Sequence, residues 1–254
     1  MDTILQDVLY QGHRSPHWAA RREQAAAVRL VAQGTGREEL LRQYHPHEPD
    51  WVHQYRLKQF RLITKPAFDK VVHALATPFA QGALQGQLTC GDYQAPLASL
   101  AEAYLGIPDL GSWASSRLLP LLLREPNGVL SLEPARERWE PAEPPAFVLR
   151  FYPTESVLWA DAEQVILKGE GGSYLRQHAT GLEALAPQED GSYLRTTRYQ
   201  HQAGQPLVTR LGGPALDWEG QVHESYLAGA LPYWTEALLE FSDKQGSVKQ
   251  HVFP

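Results

Sequence analysis

The sequence predicts an α+β fold in which a helical N-terminal half packs on an antiparallel meander sheet, followed by a C-terminal helix. Three observations carry this expectation. Apolar residues recur at helical spacing as far as Arg124. At Glu125-Pro-Asn-Gly128 the pattern gives way to short β-branched and aromatic runs separated by turn-length gaps. After Leu211-Gly-Gly-Pro214 helical spacing returns and persists to the end of the sequence. The expected division is a mainly helical part over 1–125, an antiparallel β part over 126–215 and a helix over 216–254.

The first helix opens at Ser15-Pro16, a capping side chain with proline at the first helical position, and Gly34 and Gly36 close it. Trp18, Ala25, Val28 and Val31 share one of its faces. A second helix starts at Pro49-Asp50 and runs to Thr64, before Pro66, with Val52, Tyr55, Gln59 and Leu62 as its stripe. Helical character continues over 67–76, where Phe68, Val71, Val72 and Leu75 form a face. It returns over 96–105 with Leu97, Leu100, Ala101 and Tyr104, and again over 110–124.

Strands are expected at 129–132 and, beyond the connector Glu140-Pro-Ala-Glu-Pro-Pro145, at 147–152, 156–159, 164–168 and 173–177. The run from Ser192 to His201 reads as a strand, Gln202-Ala-Gly204 as a turn, and Pro206 to Leu211 as the return strand of a hairpin. Gly172-Ser-Tyr-Leu-Arg176 recurs as Gly191-Ser-Tyr-Leu-Arg195, which would let two strands share a register but is too short for a solenoid repeat. Tyr226, Leu227, Leu231, Trp234, Leu238, Leu239 and Phe241 then follow the helical period, with Pro232 as a kink or a fresh start. Val248, Val252 and Phe253 keep the apolar face going, so the last element reads as cut at Pro254, and an exposed apolar patch with self-association is expected.

A chain of 254 residues with 43% hydrophobic and 20% charged residues is long and apolar enough to bury a core. The formal net charge of -6 gives no basic excess, so tight sequence-independent binding to phosphate backbones is not expected from charge. Cys90 is the only cysteine, which excludes disulfide frameworks and Cys-rich zinc sites and agrees with a reducing compartment. No basic-then-apolar leader is visible at Met1. The apolar run Leu118-Leu-Pro-Leu-Leu-Leu123 is far shorter than the roughly 20 residues a bilayer needs.

The sharpest chemical cluster is His45-Pro-His47-Glu-Pro-Asp50-Trp-Val-His53, whose side chains are typical zinc or iron ligands. A metal-dependent hydrolase built on His45, His47, Asp50 and His53 is therefore the enzyme alternative, and it requires those side chains to converge on a pocket. The competing reading puts Glu48 and Asp50 in the first turn of a helix, where acids suit the dipole. Cys90-Gly-Asp-Tyr93 lacks any neighbour that would activate a thiol, and no Gly-Xaa-Ser-Xaa-Gly elbow occurs. The acid pairs Asp161/Glu163 and Glu189/Asp190 read as turn residues, and Lys168-Gly-Glu-Gly-Gly-Ser173 reads as a flexible hairpin turn without the spacing of a phosphate loop. Arg14, Arg21, Arg22, Arg29 and Arg37 are diluted by Glu23, Glu38 and Glu39, as on a solvated helix face. No catalytic, cofactor-binding or metal-binding residue is assigned.

Several stretches, taken in order, carry a resemblance: Glu48 to Arg56, Phe60 to Leu75, Glu125-Pro-Asn-Gly-Val-Leu130, His201-Gln-Ala-Gly-Gln-Pro-Leu-Val208, Leu211-Gly-Gly213, and Glu224-Ser-Tyr226 through Asp243. In that order the chain resembles the N-terminal, wing-containing half of the portal proteins of tailed bacteriophages. The resemblance implies a structural virion protein rather than an enzyme, with no cofactor, acting in a homo-oligomeric ring that is a dodecamer in the family. It implies terminase, capsid and head-completion proteins as partners, transient contact with double-stranded DNA during packaging and ejection, no membrane, and a place in the virion after assembly in the host cytoplasm. Portal subunits are commonly longer, with stem, clip and crown beyond a point like Pro254, so a truncated or split subunit is expected. A prophage-derived interaction module is the remaining alternative.

Overall fold

The computed structural model describes residues 16–33, 46–59, 70–77, 87–90, 92–135, 146–189 and 192–212, with isolated positions elsewhere. Helix α1 spans Pro16–Gln33. It buries Ala25 and Val28 against the 3₁₀ turn Thr154–Ser156 and against helix α6, Leu119–Arg124. Helix α2, Asp50–Gln59, starts where the Val52 and His53 N–H groups donate to the Pro49 carbonyl, each at 3.0 Å.

The buried faces of the next helices differ from the apolar stripes read in the sequence. In α2 the ring of His53 is buried, whereas Tyr55 is 42% and Trp51 76% exposed. In α3, residues 70–77, Val72 and Ala76 are buried one turn apart while Val71 and Leu75 face outward. An apolar run wide enough to draw two stripes does not say which stripe meets the core.

Between α3 and the next helix lies a hairpin the sequence did not signal, β1 Gln87–Cys90 and β2 Tyr93–Pro96, in register from Gln87 opposite Pro96 to Cys90 opposite Tyr93. Pro96, still extended, leads directly into α4, Leu97–Leu105, which packs on β4. Gly106 ends this helix at φ 64, a left-handed conformation that glycine adopts without a Cβ clash, and buried Ile107 follows with its N–H on the Ala101 carbonyl at 3.0 Å. Helix α5, Leu110–Trp113, is capped by Asp109, whose carboxylate accepts from the Ser112 N–H at 3.0 Å. It runs through a π-helical turn, Ala114–Leu118, into α6. Pro120 explains the widening, because it offers no N–H to the preceding turn and its ring crowds the carbonyl four residues back.

The turn Glu125-Pro-Asn-Gly128 is buried rather than solvated. Its Gly128 N–H closes on the Glu125 carbonyl at 2.9 Å, and a Cβ on Gly128 would stand 2.6 Å from the Phe151 ring. It leads into β3, Val129–Pro134, the centre of a three-stranded antiparallel sheet in the order β10-β3-β4, with β4 at Phe147–Tyr152 and β10 at Val208–Arg210. A second antiparallel sheet is a meander in chain order: β5 Val157–Ala160, β6 Gln164–Lys168, β7 Tyr174–His178, β8 Gly181–Pro187 and β9 Tyr193–Gln200. Val129 from the first sheet and Val157, Ala160, Val165 and Leu167 from the second form one buried cluster, flanked by Tyr152, Leu175 and Val208. The two sheets therefore share a core. Leu158, Ile166 and Leu185 make a second cluster on the other face of the meander.

The α+β class, with helices preceding antiparallel sheets, is thus the fold of the described residues, but the expected hairpin of 192–211 is not formed. β9 pairs with β8, and β10 crosses to β3, setting Val208 opposite Ser131 and Arg210 opposite Val129. Burial accounts for the crossing: β9 is largely exposed, whereas Pro206 is buried and Val208 packs on the core cluster. The helix expected over 216–254 lies outside the described residues apart from isolated positions.

Candidate functional site

Among the described residues, a buried charge network lies where α1 meets the end of α6. Arg29 reaches from α1 to Glu125, with Nε on Oε1 at 3.1 Å and Nη2 on Oε2 at 3.3 Å, and its Nη1 donates to Glu155. The second oxygen of Glu125 also accepts from the Thr154 N–H at 2.9 Å. Glu125 is only 4% exposed, so this fork supplies most of what holds its charge away from water. Burial disfavours the Arg29 guanidinium, but Glu155 and Glu125 outweigh it and hold the pKa above its ordinary value. The site ties helix to sheet. Both Glu125 oxygens are engaged.

A second polar array bridges the two sheets. Ser131 donates to Gln177 Oε1 at 2.9 Å, Gln177 Nε2 donates to Tyr199 Oη, and Tyr199 Oη donates to the Leu132 carbonyl at 3.0 Å. One residue on, Tyr152 donates to Glu133 at 2.8 Å, and Glu133 pairs with Arg150 at 3.1 Å. Burial pushes the Tyr199 phenol up to about 12, and burial with the Glu133 carboxylate raises Tyr152 further. Since Gln177 and Ser131 are fully buried, these bonds are what make polar groups tolerable between the sheets. Sequence reasoning had no signal for this array, because its members lie on strands far apart in the chain.

The histidine-rich stretch is not gathered into a ligand set among the described residues. His47 and Asp50 are exposed, His53 is buried, and His45 lies outside the described residues. The Asp50 carboxylate lies 3.5 Å from Arg42. Among the described residues no three His, Cys, Asp or Glu side chains come together as a metal could require. Cys90 ends β1 opposite Tyr93. Asp161 is a turn residue, as its sequence suggested, accepting from the N–H groups of Glu163 and Gln164 at 2.8 and 2.7 Å and from the Trp159 indole at 2.6 Å. The glycine-rich loop folds as a tight turn with Gly171 and Gly172 at positive φ, closed by the Gly169 N–H on the Ser173 carbonyl at 2.8 Å.

Exposed surfaces offer more than these interiors. β9 is one of the two edge strands of its sheet among the described residues, eight residues long, with Leu194 57% exposed. Trp51 and Tyr55 lie one turn apart on the outside of α2. Among the described residues no helix is long and apolar enough to cross a membrane. Neither a protein-family model nor a curated protein sequence matches this chain.

Proposed function

We propose that the chain is a structural subunit, or part of one, of a tailed-bacteriophage portal, the head–tail connector through which DNA is packaged and ejected. One observation carries the reading: the ordered resemblance of the segments from Glu48 to Asp243 to the wing-containing half of that family. Two features of the fold support it. Helices precede an antiparallel meander, in keeping with the order the resemblance requires. Large apolar side chains, Trp51 above all, stand on the surface within one of the resembling stretches, as a subunit that packs against copies of itself requires.

In this reading the protein acts by geometry rather than by chemistry, and a modest negative charge suits a ring through which DNA slides. The test is electron microscopy of the purified chain, alone and co-expressed with the terminase and capsid proteins that this reading expects to be encoded beside it. Closed rings, or stable co-purification with those proteins, are expected. A monomer at high concentration by light scattering, with no binding to either protein, would sink the proposal.

A further inference from the structure

At the end of the meander where β7 turns into β8, two histidines come together that the portal reading does not use. His178 is the last residue of β7, and His201 directly follows β9. The register sets Gly181 opposite Gln200, so the Ala179-Thr180 turn lies against His201, whose backbone N–H donates to the Thr180 carbonyl at 2.9 Å. Each imidazole accepts from a backbone N–H two residues further on: His178 Nδ1 from Thr180 at 3.4 Å, and His201 Nδ1 from Ala203 at 3.3 Å. A backbone N–H can only donate, so in this arrangement each Nδ1 serves as an acceptor.

The two rings differ in what a second proton would meet. His178 has Glu183 Oε1 at 3.7 Å from Nε2, and the Thr180 hydroxyl, 3.1 Å from Nδ1, can rotate to accept. In His201 the Nδ1 is held by the Ala203 N–H, no carboxylate is paired with the ring among the described residues, and Nε2 is buried without a hydrogen bond of good geometry there. We propose that His201 is a proton-operated catch: neutral, it closes the turn over 201–203; protonated, it releases the 201–207 loop that carries the chain from the meander to β10 in the other sheet.

The surroundings favour the neutral ring. Burial, and then the nearby His178, hold the His201 pKa below the ordinary imidazole value, against a smaller upward pull from a hydrogen bond to the His178 backbone. Among the described residues the carboxylate paired in this cluster is Glu183 on β8, which lies on His178 and is shared with Arg176 of β7 at 3.8 Å. Tyr199 of β9 presents its ring 6.0 Å from that of His201, Arg198 beside it is exposed, and Glu163 precedes the Gln164 that pairs with His178. A folded-state pKa below the unfolded one means that the open loop binds more protons. Closure is therefore fully favourable above the ordinary imidazole range and weakens as pH falls through the lowered value.

Amide hydrogen exchange on the full chain, from about pH 8 to about pH 5, tests this. Protection of the Ala203 and His201 amides, the first held by the His201 ring and the second by the Thr180 carbonyl, is expected, after correction for intrinsic rate, to fall by up to about tenfold per pH unit on the acid side, the slope for uptake of one proton. Amides of β5 and β6 should not follow. His201→Asn keeps a side-chain acceptor that does not titrate, and its protection should stay flat. Protection independent of pH in the unaltered chain, or the same acid loss in His201→Asn, overturns the proposal. Should that variant not fold, nitrogen NMR of the unaltered chain decides: the Nε2–H tautomer of His201, titrating together with the loss of Ala203 protection, is expected. An Nδ1–H tautomer, or titration without that loss, overturns it.

Discussion

Single residues of this protein matter most where charge or phenol is buried with one set of partners. Arg29→Ala would strand Glu125 in a site where the Thr154 N–H is its remaining donor among the described residues. We expect a loss of about 2–3 kcal/mol in chemical denaturation, below the range for fully buried pairs because Arg29 is itself partly exposed. A loss under about 0.5 kcal/mol, the size typical of a surface substitution, would show that the fork carries no such weight. Tyr199 gives a pH signature of opposite direction to that of His201. Its folded pKa of about 12 lies above the ordinary 10.0, so its contribution is fully present below pH 10 and is lost as pH rises through about 12. Phenolate absorbance should show this tyrosine ionising late, together with unfolding; Tyr199→Phe removes the effect and leaves Gln177 and the Leu132 carbonyl short of a partner, at a cost of about 1–3 kcal/mol.

Most elements were legible because each is written locally. Pro16 starts α1, Glu125-Pro-Asn-Gly128 marks the change to strands, and the apolar runs over 147–152 and 164–168 match β4 and β6. What escaped was pairing and sidedness. β8 reads Gly-Leu-Glu-Ala-Leu-Ala-Pro, a composition with no strand preference of its own, and it becomes a strand by lying between β7 and β9. The Gly-Ser-Tyr-Leu-Arg repeat enters β7 and β9, which flank β8 with an offset of two residues: Tyr174 opposes Leu185 and Tyr193 opposes Pro187. An even offset keeps both tyrosines on one face, where their rings meet edge to face at 5.7 Å. Gly181 is where this packing leaves no room, since a Cβ there would stand 2.3 Å from the Tyr199 carbonyl oxygen. Gly181→Ala should force the strands apart and cost about 1–3 kcal/mol, read as a fall in melting temperature; an unchanged melting temperature would mean that the pair relaxes freely.

For the molecule as a whole, the candidate metal cluster was the sharpest chemical signal in the sequence, yet the fold does not gather its described members: His47, in the turn before α2, and Asp50, at its start, are exposed, whereas His53 is turned inward. The polar bridge between sheets was invisible because it depends on how strands distant in sequence stack. Trp51→Ala tests the outer surface. With 76% of the residue exposed, stability should change by less than about 0.5 kcal/mol while self-association measured by light scattering falls. A large drop in stability would instead mean that the ring is needed for folding. The crossing of β10 to β3 bears on the order of events during folding. It joins Arg210 to Val129 across the whole meander, through a strand of only three residues, so the chain must close a loop of roughly 80 residues for very few ladder bonds. The meander, built of neighbouring pairs, is expected to form first and β10 to dock last. In pulse-labelled refolding the Leu132 amide, which donates to the Leu207 carbonyl, would then be among the latest to be protected and the first to exchange when the native protein breathes.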